Sequence, residues 1–442
     1  MKIKKPLVLL ILGFLCCCMI AAGDEMVLIS SAEELAGIRD SEGSFALVAD
    51  IDIPEGWVPI ENFKGSLDGR GHIIRGLSQG LFARAEGAEI KNFEIEDAKI
   101  LADGSSSVGL LVGEAVGSQI TNIIIRSGII RAGKGNVGGL AGYLSDCIVE
   151  KVFICVEIDT DAEYLGGLVG TAVDTRFYSS GVDEGRLTGM GIVGGFAGRL
   201  MDTGLVVGCH SDAKVSGAIA GGFVGQVSGA ELPTNANHKI ELIECTTMIN
   251  ITMGSESAGG FAGEISFASI VECGAFGDVM GKERSGGFVA GLYDNSRVIY
   301  SYGNNGDVHG GKVVGGFVGE MARGVSIEFG YSGGSVRGEG DEEQSVGGFA
   351  GVISEDGAPN TITSCLSFAP WVVGQGDVHR FVGRAEHRGV NNCYAMLYST
   401  VVRNGELVHV LSNAYGPDGG DMSVAQVDEI ARRIGWRVEG VQ

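Results

Sequence analysis

Apolar residues in this chain fall in short alternating runs rather than at helical spacing, and one run returns throughout the sequence. It reads VGLLVG at 108–113, VGGLAG at 137–142, LGGLVG at 165–170 and VGGFAG at 193–198. It continues as AGGFVG at 220–225, AGGFAG at 258–263, SGGFVAG at 285–291, VGGFVG at 314–319, VGGFAG at 346–351 and HRFVG at 379–383. The large apolar residue after the glycine pair stands at Leu111, Leu140, Leu168, Phe196, Phe223, Phe261, Phe288, Phe317, Phe349 and Phe381. Successive spacings are 29, 28, 28, 27, 38, 27, 29, 32 and 32, and Phe82 in QGLFAR holds the same slot 29 residues before Leu111.

A period near thirty with β-type residues predicts a solenoid. Each unit reads as three short extended runs separated by Gly, Asn, Asp or Ser turns, as in SIVECGAFGDVMG (269–281) and VIYSYGNNGDVHG (298–310). Three strands per coil, stacked, give an all-β parallel β-helix of about 10–11 coils, about 4.8 Å apart and on the order of 50 Å long. Helical repeat arrays need helices that these units lack. Alternation along a strand puts Gly194, Phe196 and Gly198 on one face and Val193, Gly195 and Ala197 on the other. A ring flanked by residues without side chains fits a narrow interior, so the Leu/Phe positions are expected to stack as a ladder. The last glycine suits a corner that needs φ > 0. The opposite face is left as a strip of small apolar residues, either covered by flanking segments or open to a partner.

These copies resemble the GLUG-motif repeats of exported bacterial proteins, named for a Gly-Leu-x-Gly signature. GLLVG, GGLAG and GGLVG match it literally, and GGFVG and GGFAG are its phenylalanine form. The resemblance runs from about residue 29, through a leading segment at 29–100, to about residue 385. It implies a right-handed β-helix and an exported location. Some relatives join such repeats to immunoglobulin A peptidases, but the zinc motif H-E-x-x-H is absent here. The family supplies no catalytic residues to carry over. Two copies depart from the pattern: GGFVAG at 286–291 reads as one residue longer, and His379 and Arg380 replace both glycines of the last copy.

Both ends carry helix signals, as an open β-stack requires. Ser31-Ala32-Glu33-Glu34 is a capping box with Leu35 and Ile38 on one helical face. Ser423-Val424-Ala425-Gln426 is another, followed by Val427, Ile430, Ala431 and Ile434, with Trp436 expected to pack nearby. Residues 1–23 read as a signal peptide: Lys2, Lys4 and Lys5 precede a long apolar run, with Ala21 and Gly23 before a cut at Asp24. The rival reading lipidates Cys16, Cys17 or Cys18, which is the one route to a membrane. The organisation is then 1–23 signal peptide, 24–105 N-terminal cap and first coils, 106–385 repeats, and 386–442 last coil and C-terminal helical cap.

Composition sharpens this picture. Glycine supplies 75 of 442 residues and proline only 7, which fits many tight corners without disorder. Removing 1–23 leaves 29 basic against 55 acidic residues, a net charge of −26. Such a surface repels nucleic acid and anionic lipid.

Candidate chemistry is sparse. Cys209, Cys245 and Cys273 each precede an apolar slot (Val215, Ile251, Val279) by six residues, so they share one position in consecutive coils. A buried thiol ladder ranks first, one local disulfide second and a metal third, since no C-x-x-C occurs. The histidines are scattered, and Asp50, Asp52 and Asp68 lie in turn or alternating strand contexts. GEGDEEQ (338–344) reads as a solvated loop. The stretched unit between Phe223 and Phe261 holds SGAELPTNANHK, where Glu231, Asn235, Asn237 and His238 form a candidate contact loop. No residue pattern calls for a cofactor or metal.

Two functions compete. The first is an exported, non-enzymatic binding or adhesion module whose partner is a protein or glycan at a cell or host surface. The second is a glycan-active enzyme on the same scaffold, which needs Arg or Lys beside a carboxylate or cation. No repeat shows that break in pattern at the level of sequence. Ice binding is a poor fit without Thr-x-Thr arrays.

Overall fold

The computed structural model describes residues 26–434 apart from 102, 103, 105, 231–239, 304, 305, 341–343, 387 and 388. Residues 1–23, read above as a signal peptide, and Trp436 therefore lie outside the described residues. Within them, 48 strands form one continuous sheet wound into a parallel β-solenoid of about 11 turns.

Turns in the first half of the solenoid hold three strands, as in Asn136–Gly138, Ala141–Ser145 and Ile148–Thr160, whereas turns nearer the C-terminus are broken into five. One runs Val313–Gly315, Val318–Ala322, Ser326–Glu328, Tyr331–Ser332 and Val336–Gly338, and each pairs in parallel with its counterpart one turn on. The extra breaks come from two kinds of corner. One follows a left-handed residue, a column that runs through Asn122 (φ 54°), Ser179 (45°), Gly208 (60°), Glu272 (55°), Tyr300 (50°) and Asn392 (54°). After Ser179, Gly208, Glu272, Tyr300 and Asn392 the next residue is a Ser or Cys whose side chain turns back onto the carbonyl two residues before it. Ser301 Oγ donates to Ile299 O at 3.0 Å and Cys273 Sγ to Val271 O at 3.4 Å, while Ser301 Oγ accepts from Cys273 N at 3.3 Å. The hydroxyl thereby gives the Cys273 N–H its acceptor at a point where the corner interrupts the backbone ladder. Cys209, Cys245 and Cys273 stack in this column as free thiols. The strand beyond them is in a different register from the six-residue count: Val215 pairs with Thr252, and Thr252 with Val279, so Ile251 is not the shared slot.

The second kind of corner is the glycine motif itself. The chain bends at Gly195-Phe196, between strands Ile192–Gly194 and Ala197–Val207. The bend sends Val193, Phe196 and Ala197 all into the interior, each fully buried. No small apolar strip is left outside, because simple alternation does not survive a corner. None of the motif glycines has positive φ. They are glycine because backbones nearly touch: a Cβ on Gly194 would lie 1.9 Å from Ala197 O and 2.4 Å from Gly225 N. The Phe223 carbonyl accepts from both Phe196 N (2.7 Å) and Ala197 N (3.1 Å), which holds the bend to the next turn. GGFVAG carries no extra residue, since Val289 pairs with Val318 and Gly291 with Glu320, which leaves Ala290 in the final glycine slot.

Phe196, Phe223, Phe261, Phe288, Phe317, Phe349 and Phe381 form a fully buried stack, with successive ring centroids 4.7–5.0 Å apart. Leu111, Leu140 and Leu168 hold the same interior column nearer the N-terminus.

At the N-terminal end, helix Ala32–Ala36 is capped by Ser31, whose Oγ accepts from Glu34 N at 3.2 Å, and it buries Leu35. Ile38 follows it into the core. At the other end, Phe381 N and Val382 N donate to Pro417 O at 3.0 and 2.8 Å, where a further turn would otherwise pair. Arg380 is fully buried there: Nε donates to Asp418 O (2.8 Å), Nη2 to Gly419 O (3.0 Å), and Nη1 meets Asp421 at 2.9 Å. A large side chain fits this slot because no further turn presses on it. Helix Val427–Ile434 packs Ile430 onto Leu366 and Met422, beside Tyr331, Phe368 and Tyr394 on the flank of the last turns. Gln426 caps it, accepting from Ser423 N at 3.2 Å.

Candidate functional site

Because the chain bends at each glycine motif, the residue just before it and the residue just after it face one another across a concave corner. Stacked through the turns, these pairs line a groove parallel to the axis. One wall carries Ser107, Asn136, Tyr164, Ile192, Ile219, Ser257 and Arg284. The other carries Glu114, Tyr143, Thr171, Arg199, Gln226, Glu264 and Glu320.

Hydrogen bonds across the corner establish that the walls meet. Ser107 Oγ donates to Glu114 at 3.1 Å, Thr171 Oγ1 to Asn136 Oδ1 at 2.6 Å, and Arg199 Nη1 to the Tyr164 hydroxyl at 3.2 Å. The Arg199 guanidinium lies 5.2 Å from the centre of the Tyr164 ring, and its Nε is buried without a hydrogen-bond partner. Toward the N-terminal end the groove widens into a cleft of about 340 Å³ bordered by Glu61, Gln79, Ser107 and Glu114.

Its most charged stretch centres on Arg284. Gly291 replaces the long side chain that neighbouring turns carry, and a Cβ there would meet the Tyr293 hydroxyl at 2.6 Å. The vacated space takes Tyr293 and Arg284. Arg284 bonds Glu264 (2.8 Å) from the preceding turn, Glu320 (3.2 Å) from the following one, and the Tyr293 hydroxyl. Tyr293 donates to Glu320 at 3.1 Å, and Arg323, paired with Asp294 at 2.5 Å, sits 4.8 Å from the Tyr293 ring centre. Burial pushes the Tyr293 phenol well up, with Glu320 and Glu264 adding to the effect of burial against the opposing pull of Arg284. The Arg323 guanidinium holds the Asp294 carboxyl below its usual range.

Sequence reasoning placed its emphasis elsewhere. The Leu/Phe slots are interior, and Glu231, Asn235, Asn237 and His238 lie outside the described residues. The groove residues went unnoticed, although a signal existed: the positions flanking a near-constant motif change chemistry in most copies. Among the described residues, no three His, Cys, Asp or Glu side chains converge on a point able to hold a metal.

Comparison with known proteins returns little. No family model matches the chain. Halomucin of Haloquadratum walsbyi is 30% identical over 198 residues, covering 40% of this chain and 2% of halomucin. The chain thus spans a small fraction of that relative. Among solved structures, a candidate immunoglobulin A1 protease from Bacteroides ovatus aligns over 91% of this chain and 86% of its own at 14% identity and a TM-score of 0.28. An IgA1 protease aligns over 92% of this chain and 24% of its own at 12% identity and a TM-score of 0.25. At those scores neither carries an argument about function.

Proposed function

We propose that this chain is an exported, non-enzymatic binding module of the GLUG-repeat type, and that its groove takes an extended glycan at a cell or host surface. One observation carries the reading: a motif held nearly constant for structural reasons is flanked by side chains that change from turn to turn along most of its length. Tyr, Arg, Asn, Gln and Glu in a long shallow trough supply the ring faces and paired hydrogen-bonding groups that sugars need. The buried Arg199 Nε is a donor awaiting an acceptor. The basic, apolar leader and the partial similarity to halomucin support export.

The cluster at Arg284 is where a glycan-active enzyme would carry its chemistry. A tyrosyl base needs a lowered pKa, whereas burial pushes Tyr293 up, and Arg284 is engaged by both carboxylates. We therefore assign this cluster to binding.

The test is the full chain on an array of glycans and matrix proteins, alongside Arg199→Ala and Glu264→Gln. Glycan signal that drops about tenfold in either variant, a loss near 1.4 kcal/mol, supports the reading. Binding confined to proteins, or indifferent to both substitutions, overturns it, as does cleavage of a uronate polymer.

A further inference from the structure

On a second face, away from the groove, an outward column in the last stretch of each turn runs Ser216, Met253, Met280, His309 and Arg337 in register through successive turns. The residue after each is glycine: Gly217, Gly254, Gly281, Gly310 and Gly338. The glycines leave a trough of about 490 Å³ with Met253, Met280 and His309 along it, and Lys282 and Glu339 among its borders.

Two features set this trough apart. Met253 and Met280 are 45% and 40% exposed, so they add little to a core and present their thioethers to solvent. His309 Nδ1 lies 2.8 Å from the Glu339 carboxylate. With Nδ1–H donating there, Nε2 is left as the free base, and a carboxylate behind a histidine is the arrangement that orients an imidazole for a metal. In-register residues on neighbouring turns stand about 4.8 Å apart, so two thioethers and one imidazole project side by side from consecutive turns.

We propose that Met253, Met280 and His309 form a binding site for a soft monovalent cation, copper(I), with silver(I) as its chemical probe. Thioether sulfur is a poor ligand for calcium, magnesium or zinc and a good one for copper(I). The acidic chain, at net −23, favours cation capture, and Glu339 offsets the charge of Lys282 at the rim. This inference is independent of the groove.

The experiment titrates silver(I) into the full chain by calorimetry after accessible thiols are capped with iodoacetamide at mildly alkaline pH. Capping is required because Cys155 is half-buried and a thiolate would outcompete thioethers. The expected result is one silver(I) per chain, displaced by copper(I), with Met280→Leu and His309→Gln each weakening binding tenfold or more. Met→Leu conserves volume, and an unchanged melting temperature confirms the fold. Absence of silver uptake, uptake unaltered in the Met253→Leu/Met280→Leu double variant, or equal uptake of zinc(II) overturns the proposal.

Discussion

Removing one ring from the middle of the aromatic stack tests how the solenoid is held together. Phe261 is fully buried, with Phe223 5.0 Å away on one side and Phe288 4.8 Å on the other, tilted by 6° and 13°. Deleting a buried Phe to Ala costs about 3–5 kcal/mol, combining lost transfer energy with the cavity left behind. Each stacked contact accounts for about 0.5–1.5 kcal/mol of that. Phe261→Leu keeps most of the volume and loses the two ring contacts, so its cost is about 1–3 kcal/mol. Leu111, Leu140 and Leu168 show that leucine fits the slot. Because turns contact only their neighbours, stability is a sum of local terms and interfaces. A defect in the middle turn therefore weakens the coupling between the two halves as well as lowering stability. In urea, followed by far-ultraviolet circular dichroism, Phe261→Ala is expected to lower the midpoint and split the transition in two. Phe261→Leu should lower it less and keep one transition. A Leu variant as damaged as the Ala variant, or an Ala variant within 1 kcal/mol of the parent, would refute the packing argument.

Three further outcomes follow from the same geometry. Gly259→Ala places a Cβ 1.8 Å from Ala262 O, so it should cost at least about 3 kcal/mol by denaturant melting; Ala290→Gly, in the slot that already accepts a methyl, should cost about 1 kcal/mol or less. Native alkylation followed by peptide mapping should label Cys155 and spare Cys209, Cys245 and Cys273, which are buried and, for Cys209 and Cys273, pushed up by that burial; labelling of the ladder before unfolding would contradict the fold. Arg323 lowers Asp294 below its ordinary 3.8, so the ion pair stabilises the fold fully above that value and is lost as pH falls through the lower folded value; Asp294→Asn should reduce the drop in urea midpoint between pH 5 and pH 3.

How much of this could be read from the residues follows from what sets each feature. The period, the parallel stacking and the inward ring were legible because all depend on one repeated apolar slot, and ten copies average out local noise. The further breaks that divide the C-terminal turns into five strands were not. Lys151, Glu244, Tyr300 and Phe329 sit at left-handed corners, at φ 50–55°, where sequence alone expects Gly, Asn or Asp. They are held there by ladder bonds above and below, such as Tyr300 N to Glu328 O at 3.1 Å, a tertiary constraint that no local propensity reports. Cys209, Cys245 and Cys273, each following such a corner, also return a hydrogen bond to the carbonyl two residues back.

The groove was hidden by the strength of the motif beside it. Strict alternation treats Ile192 through Arg199 as one strand, in which residues seven apart point to opposite faces and never meet. The bend at Gly195-Phe196 folds that strand onto itself, and position 199 then faces position 164 of the turn before, as the Arg199–Tyr164 bond at 3.2 Å shows. Gly198 permits this, since a Cβ there would lie 2.7 Å from Leu165 N. The glycines bring two walls of variable side chains within hydrogen-bonding distance of one another. On the proposed reading they shape the groove without lining it, so the residues that stand out most in the sequence are structural and the variable ones beside them are the candidates for recognition.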